Sequence, residues 1–510
     1  MYSKVLSCAL HGVEGRLITV ECDVSDGLPM FNMVGFLASE VRESSDRVRT
    51  AVKNSGYRMQ AQRVTINLSP ADIRKEGAAF DLPISIALLA AFGYIPKEKL
   101  QDVLLIGELS LNGDIRPVKG ILSIVDFAKK NHIHTVILPY DNRKEGVVVP
   151  DLTIYGAKTL KEVVEHLMDV QVMKPVERES EAAGEDSFSV DFSDVKGQYL
   201  IKRAMEIAVS GMHNILMIGP PGAGKSMIAK RIPTIMPSLT FDESIEITKI
   251  YSVNGMLDPD CGLLRNRPFR MPHHSITATS LIGGGRVPKP GEISLAHNGV
   301  LFLDEFLEFN KNTIEMMRQP MENGEITISR LYGNYTFPCD FMLVAAMNPC
   351  PCGYFPDQNK CHCSSHDIHR YLSKISYPML DRIDMSVSIK KLEYRELYEE
   401  KKTEASKDIK SRVLRAIRIQ NERFAHDAFH FNSQIPDHKL NHWCALDGKA
   451  EQLRKDIFEN YGMTARGMNK LIKVARTIAD LNESENITSD HMMEALSFRM
   501  TNWNMGGGFL

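Results

Sequence analysis

Asn214-Ile215-Leu216-Met217-Ile218 runs directly into Gly219-Pro220-Pro221-Gly222-Ala223-Gly224-Lys225-Ser226, and a helical segment, MIAKRI, follows at once. An apolar strand, a loop spaced G-x-x-x-x-G-K-[ST] and a helix, in that order, suit the cradling of a triphosphate. The glycines let backbone N–H groups wrap the phosphates, Lys225 sets a cation against the β and γ oxygens, and the Ser226 hydroxyl can ligate Mg²⁺. Two further apolar runs follow downstream. Val300-Leu301-Phe302-Leu303 ends in Asp304-Glu305, and FMLVAAM (341–347) ends at Asn348. Either end alone would be an ordinary strand terminus. After a phosphate loop, Asp304 is expected to orient hydrated Mg²⁺, Glu305 to polarise the water that attacks the γ-phosphate, and Asn348 to hydrogen-bond that water or phosphate. ATP and Mg²⁺ are therefore the expected cofactors, on an α/β nucleotide fold.

Working outward, 510 residues argue for about three domains at roughly 100–200 residues each. Residues 1–172 mix strand-like runs (RVTINL, TVILP) with helical stretches and predict an α+β domain. In it, Asn112-Gly113 predicts a hairpin with a tight type I′ turn. Residues 173–191 hold an acidic, polar stretch and predict a linker. Residues 192–394 form the α/β nucleotide unit. Residues 395–510 read as a helical lid, with Met468, Leu471, Ile472, Ala475 and Ile478 on one face of a helix. The cationic run Glu399–Phe424 is expected to be a solvated lid surface, with contact to DNA as the alternative.

The charge balance excludes a globally basic nucleic-acid binder, since 61 lysines and arginines face 64 acids for a net charge of −3. Any phosphate-binding surface must be a local cluster. No apolar run approaches the about 20 residues that span a bilayer, and the start lacks a signal-peptide core, so a cytoplasmic protein without membrane contact is expected. In that reducing setting the pairs Cys350/Cys352 and Cys361/Cys363 need an explanation other than disulfides. Four thiols with eight residues between the pairs can surround a tetrahedral Zn²⁺, although one-residue spacing within each pair is shorter than usual. Reduced cysteines in a tight loop, or a redox pair, are the alternatives.

The stretches VKGQ (195–198), MPHHSITATSLIGGG (271–285), PGEISLAHNGVLFLDE (290–305), RQPMENG (318–324), AAMNPCPCG (345–353) and SYPMLDRIDM (376–385) resemble the AAA+ ATPases of the magnesium-chelatase-like ComM/YifB family almost end to end. The resemblance implies an AAA+ P-loop core with a helical lid, assembled as a ring, usually a hexamer, with ATP between subunits. It places Arg382, in LDRID, at the arginine-finger position, which completes a neighbour's site. An internal salt bridge with Asp381 or Asp384 is the alternative. Arg466, in TARGMNK, matches the second sensor, which would report phosphate loss to the lid.

The 79 positions separating Lys225 from Asp304 exceed a bare strand–helix–strand unit and imply an insertion. Arg270, His273, His274, Arg286 and Lys289 surround Gly283–Gly285 in it, and a second hairpin before the Asn348 strand carries Arg330. In the related ATPases these insertions face the ring pore, so the six residues are candidates for gripping DNA, with surface loops or subunit contacts as alternatives. KEGAAFDLPISIALLAA (75–91) and GELSLNGDIRPVKG (107–120) resemble the proteolytic domain of Lon. However, Ala79 and Ile124 stand where Lon's serine and lysine would be, so no proteolysis is expected. The function implied is a DNA-directed ATPase ring acting on single-stranded or branched DNA, a branch-migration helicase in recombination during natural transformation. A magnesium-chelatase motor subunit and a non-catalytic ATP-dependent scaffold are the competing readings.

Overall fold

The structure is a computed structural model that describes every residue except 179–187, 332, 392–402, 462 and 500–510. The middle of the acidic linker, the 394/395 boundary and the start of the cationic run at Glu399 lie outside the described residues. Two sheets organise the chain. In the first, β1 (Tyr2–His11) and β2 (Glu14–Ser25) form an antiparallel hairpin about Gly12, burying alternate residues such as Val5, Ile18, Val20, Cys22 and Val24. β3 (Met30–Val34) and β4 (Arg63–Ser69) extend the sheet beyond β2. β5 (Val103–Leu105), β8 (Thr135–Pro139) and β9 (Thr153–Ala157) extend it in parallel beyond β1, giving the order β3-β4-β2-β1-β5-β8-β9. The apolar helix Asp81–Ala91, buried at every residue, packs on β1 and β2. Its buried Asp81 carboxylate is held by the Arg47 guanidinium at 2.8 and 3.1 Å, which compensates the charge. Ala79 and Ile124 lie in one apolar cluster.

The Asn112-Gly113 hairpin forms, but not with the expected tight turn. β6 (Glu108–Leu109) and β7 (Ile115–Arg116) pair with five residues between Leu109 and Ile115, and only Gly113 has positive φ (+91°). The Asn112 carboxamide oxygen accepts from the Asp114 N–H and the Ser110 hydroxyl. This side-chain turn replaces the type I′ backbone, in which both central residues are left-handed.

The second sheet carries the candidate nucleotide residues. β10 (Ile215–Ile218), β11 (Phe269–Arg270), β14 (Val300–Leu303), β17 (Met342–Met347) and β18 (Met385–Ser388) are all parallel, in the order β11-β14-β17-β10-β18. Parallel sheets are covered on both faces, which explains the unbroken apolar runs. Ile215, Phe302 and Val344 point into one core, whereas Leu216, Leu303 and Leu343 point into the other. Two small hairpins lie beside the sheet: β12 (Gly283–Gly284) with β13 (Lys289–Pro290), and β15 (Glu325–Arg330) with β16 (Gly333–Pro338). The tip of the β1–β2 hairpin reaches the latter. The His11 ring stacks on Tyr335 at 4.3 Å, and its Nε2 lies 2.8 Å from the Asn334 carbonyl. A second junction joins the same two regions, with Asp126 bonded to Lys249 at 2.5 Å and the buried Glu145 accepting from Leu122 N–H and the Ser252 hydroxyl.

The carboxyl-terminal helices close over the first core. The stripe read from the sequence, Met468 to Ile478 on the helix Ala465–Leu481, is buried against the helices Ser406–Arg423 and Tyr199–Gly211. Four of the cations in the Ser406–Arg423 helix are paired within the chain, Arg412 with Glu206 and Glu404, Arg415 with Glu483, Arg418 with Glu422 and Arg423 with Asp480. No helix among the described residues is long and apolar enough to cross a membrane.

A buried polar cluster ties lid to sheet: Asp384, at the foot of β18, accepts from Lys470 at 2.7 Å and from the Asn214 N–H at 2.9 Å, with His213 Nδ1 3.9 Å away. Full burial holds the His213 ring neutral, dropping its pKa to about 4 despite Asp384. The unfolded ring titrates near 6.5, so the unfolded state binds the extra proton first as pH falls. Stability is therefore retained above about pH 6.5 and lost between there and about pH 4, by on the order of 3 kcal/mol. Melting curves across that window should fall more steeply for the wild type than for His213→Gln. Parallel slopes would assign the titration to other groups.

Candidate nucleotide site

Registered parallel pairing sets the carboxyl ends of four strands along one edge, with Ile218 beside Met347 and Ser388, and Leu303 beside Ala345. In open α/β sheets that edge is where ligands bind. From β10 the chain turns through Gly219, Pro220, Pro221, Gly222, Ala223 and Gly224. Gly222 (φ +75°) and Gly224 (φ +87°) occupy left-handed conformations that a side chain would strain, and the helix Lys225–Ala229 starts immediately after. Lys225 is buried, and its ammonium donates to the carbonyls of Gly219 (2.6 Å) and Pro220 (3.0 Å) and to Asn348 Oδ1 (3.1 Å). Burial lowers its pKa, opposed by the nearby carboxylates of Asp304 and Glu305. The cation is thus held between the loop and the end of β17 by acceptors that phosphate oxygens can replace.

The Ser226 hydroxyl donates to Asp304 Oδ2 at 2.5 Å, and Asp304 Oδ1 accepts the Glu305 N–H at 2.9 Å. A hydroxyl and a carboxylate facing each other form a hard oxygen pair, the donor chemistry that suits Mg²⁺, so these residues fit that ion. Glu305 leaves the strand in a left-handed conformation (φ +51°, ψ +46°) that is unfavourable for a non-glycine residue, and its side chain is 59% exposed. Strain of this kind costs about 1–3 kcal/mol and persists at functional sites. Here it turns the carboxylate out of the strand, away from Asp304's hydrogen bonds. His274 Nδ1 lies 3.3 Å from Glu305 Oε2.

The six basic-loop candidates do not stay together. His274 reaches Glu305, and His273, whose ring lies tilted beside it at 4.0 Å, bonds to Ser275. Arg270 is committed to Glu292 through two bonds of 2.7 Å. Arg286, Lys289 and Arg330 remain exposed around the glycine turn, with Arg330 Nε donating to the Gly285 carbonyl.

Arg382 and Arg466 converge on one carboxylate. Glu322, at the end of the helix Arg318–Asn323, accepts from Arg382 at 2.6 Å and from Arg466, while Arg466 also pairs with Asp381 at 3.1 Å. Arg382 is buried and donates to the carbonyls of Arg318 and Pro378. Its internal pairing is thus with Glu322, not with Asp381 or Asp384. Burial raises the Glu322 pKa, but hydrogen bonds from the two guanidiniums reverse that and leave it below its usual value. Sequence reading missed Glu322, because nothing local marks a carboxylate whose partners lie 60 and 144 positions away.

The family model described as "Magnesium chelatase, subunit ChlI" matches residues 191–397, "Subunit ChlI of Mg-chelatase" matches 20–142, and "Magnesium chelatase, subunit ChlI C-terminal" matches 403–499. The competence protein ComM of Haemophilus influenzae is 38% identical over 501 residues, covering 97% of each chain. The uncharacterized protein YifB of Escherichia coli is 40% identical over 504 residues, covering 98% of this chain and 97% of its own. The Lon protease 3 of Sorangium cellulosum is 27% identical over 168 residues, 32% of this chain and 20% of that protein.

The contact between His274 and Glu305 has a kinetic consequence. If the imidazole orients that carboxylate, His274→Ala should reduce kcat for ATP hydrolysis by roughly tenfold to a hundredfold and leave nucleotide affinity unchanged. Equal kcat values would remove His274 from the site.

Proposed function

This chain belongs to the magnesium-chelatase-like ComM/YifB family, and from that premise we propose that it is an AAA+ ATPase ring, a hexamer, that drives branch migration of DNA during recombination. The observation that carries the ATPase reading is the meeting of Lys225, Ser226, Asp304, Glu305 and Asn348 at one sheet edge. The DNA task is supported by the name of the competence relative and by the exposed cations Arg286, Lys289 and Arg330.

In the proposed cycle, ATP phosphates displace the carbonyls now bonded to Lys225, which then neutralises the β and γ oxygens. Ser226 and Asp304 would hold Mg²⁺, which when bound supplies Lewis-acid stabilisation of the phosphate charge. Glu305 accepts a proton as the water oxygen bonds to the γ-phosphorus and the bond to the ADP oxygen breaks. The Asn348 carboxamide orients that water. Arg382 and Arg466 act together on the phosphates of the adjoining protomer, whose charge competes with Glu322 for both guanidiniums. This reading has the two arginines serve one interface rather than separate functions.

Glu305→Gln keeps the shape of the side chain and removes its basicity, so it should bind ATP and assemble normally while turnover falls by at least about a hundredfold. Unchanged hydrolysis would reject the role. On four-way DNA junctions the wild type should separate arms only with ATP, and junction DNA should stimulate hydrolysis less as salt rises. A ring that hydrolyses ATP but ignores every DNA substrate would leave an ATPase with another target.

A further inference from the structure

The segment after Asn348 takes no part in the proposed ATPase chemistry, yet it brings together four thiols. Cys350-Pro351-Cys352-Gly353 forms a tight turn closed by the Gly353 N–H on the Cys350 carbonyl at 3.0 Å, so two sulfurs one residue apart stand on the same turn. The chain then loops out through mostly exposed polar residues, and the Cys361 N–H bonded to the Asp357 carbonyl helps return Cys361 and Cys363 to the same point. Sulfur separations are 3.3 Å (Cys350–Cys352), 3.5 Å (Cys352–Cys361) and 3.8 Å (Cys350–Cys361), and all four sulfurs lie within 4.8 Å of one another. An ion bound tetrahedrally at about 2.3 Å from each sulfur sets them about 3.8 Å apart. Sulfurs this close leave no room for an iron–sulfur cluster between them. All nine cysteines are free of disulfides. The Phe355 N–H points to Cys350 Sγ at 3.4 Å, the kind of outer hydrogen bond that steadies a thiolate ligand.

The loop also abuts the phosphate cradle. A Cβ placed on Gly353 (φ +83°) would lie 2.5 Å from Pro221 Cδ, so only glycine permits this approach. Cys350 and Gly353 are buried, whereas most residues from Tyr354 to His362 are exposed. Residues Gly353–Asp357 line a cavity of about 710 Å³ together with Ile218, Gly219, Pro220 and Met347. The exposed middle of the loop has little packing of its own, so a cross-link between its two ends would help to hold it against Pro221.

We infer that Cys350, Cys352, Cys361 and Cys363 bind one Zn²⁺, and that this ion braces the loop against Pro221 so that the phosphate-binding loop keeps its shape. The metal site stands on the thiol geometry alone, whereas the bracing rests on the ATP-site reading. Four thiolates in this arrangement select zinc over magnesium or calcium, which prefer oxygen donors.

The test uses the full-length protein purified without chelators or added zinc. Elemental analysis should find one zinc per chain, with Cys352→Ser and Cys361→Ser each falling below about a tenth of that. Because those variants risk misfolding, wild-type protein is also stripped with a mercurial and a chelator. Its affinity for a fluorescent ATP analogue should then weaken by about tenfold or more and recover when zinc is restored. Lys225→Ala should keep its zinc while losing the nucleotide, separating the two sites. Trace zinc in the wild type with all four thiols freely alkylated, or a disulfide among them in a peptide map, overturns the metal site. Zinc that leaves without changing nucleotide affinity overturns the brace. Wild-type protein that holds zinc but binds no ATP analogue overturns the brace together with the ATPase reading and leaves the metal count intact.

Discussion

The parallel pairing of β10 between β17 and β18 is the constraint on which the rest of the candidate nucleotide site depends. Backbone hydrogen bonds fix the register to the residue, so the loop after Ile218, the carboxamide after Met347 and the residues after Ser388 emerge side by side. β14, paired with β17, delivers Asp304 and Glu305 to the same edge. A slip of one residue would turn every side chain to the opposite face and separate Lys225 from Asn348. The apolar residues that fill both faces of the sheet are what make such a slip costly.

Electrostatics then work inside that frame through pairs that can exchange partners. Lys225 is satisfied by two carbonyls and an amide oxygen, Glu305 faces a histidine, and Arg382 and Arg466 share Glu322. None of these groups is left uncompensated, as partly buried charges require, and none is locked in a closed cage of its own. A site built in this way can accept a highly charged substrate by trading partners instead of stripping ions from water.

What the sequence made legible was chemistry encoded locally. The spacing Gly219–Ser226, the Asp304-Glu305 strand end and the lid stripe around Leu471 each lie within a dozen residues, where periodicity and spacing are informative. What it hid was set by long-range return of the chain. Arg270 reads as a free cation until Glu292 is seen beside it, and His274 reads as part of a basic loop until the fold carries it to Glu305. At Asn112 the dipeptide was read correctly as a turn but not as the kind of turn, since a side-chain amide captured the backbone groups. The four cysteines were visible as two pairs; their convergence was visible only in three dimensions.

The stack of His11 on Tyr335 has a mechanical consequence. Because β1 and β2 are central strands of the seven-stranded sheet, displacing the β15–β16 hairpin would either break the His11 contacts or require the amino-terminal sheet to shift with it. The hairpin is therefore coupled to the neighbouring layer, and displacing it costs the energy of that contact or requires the two to shift together.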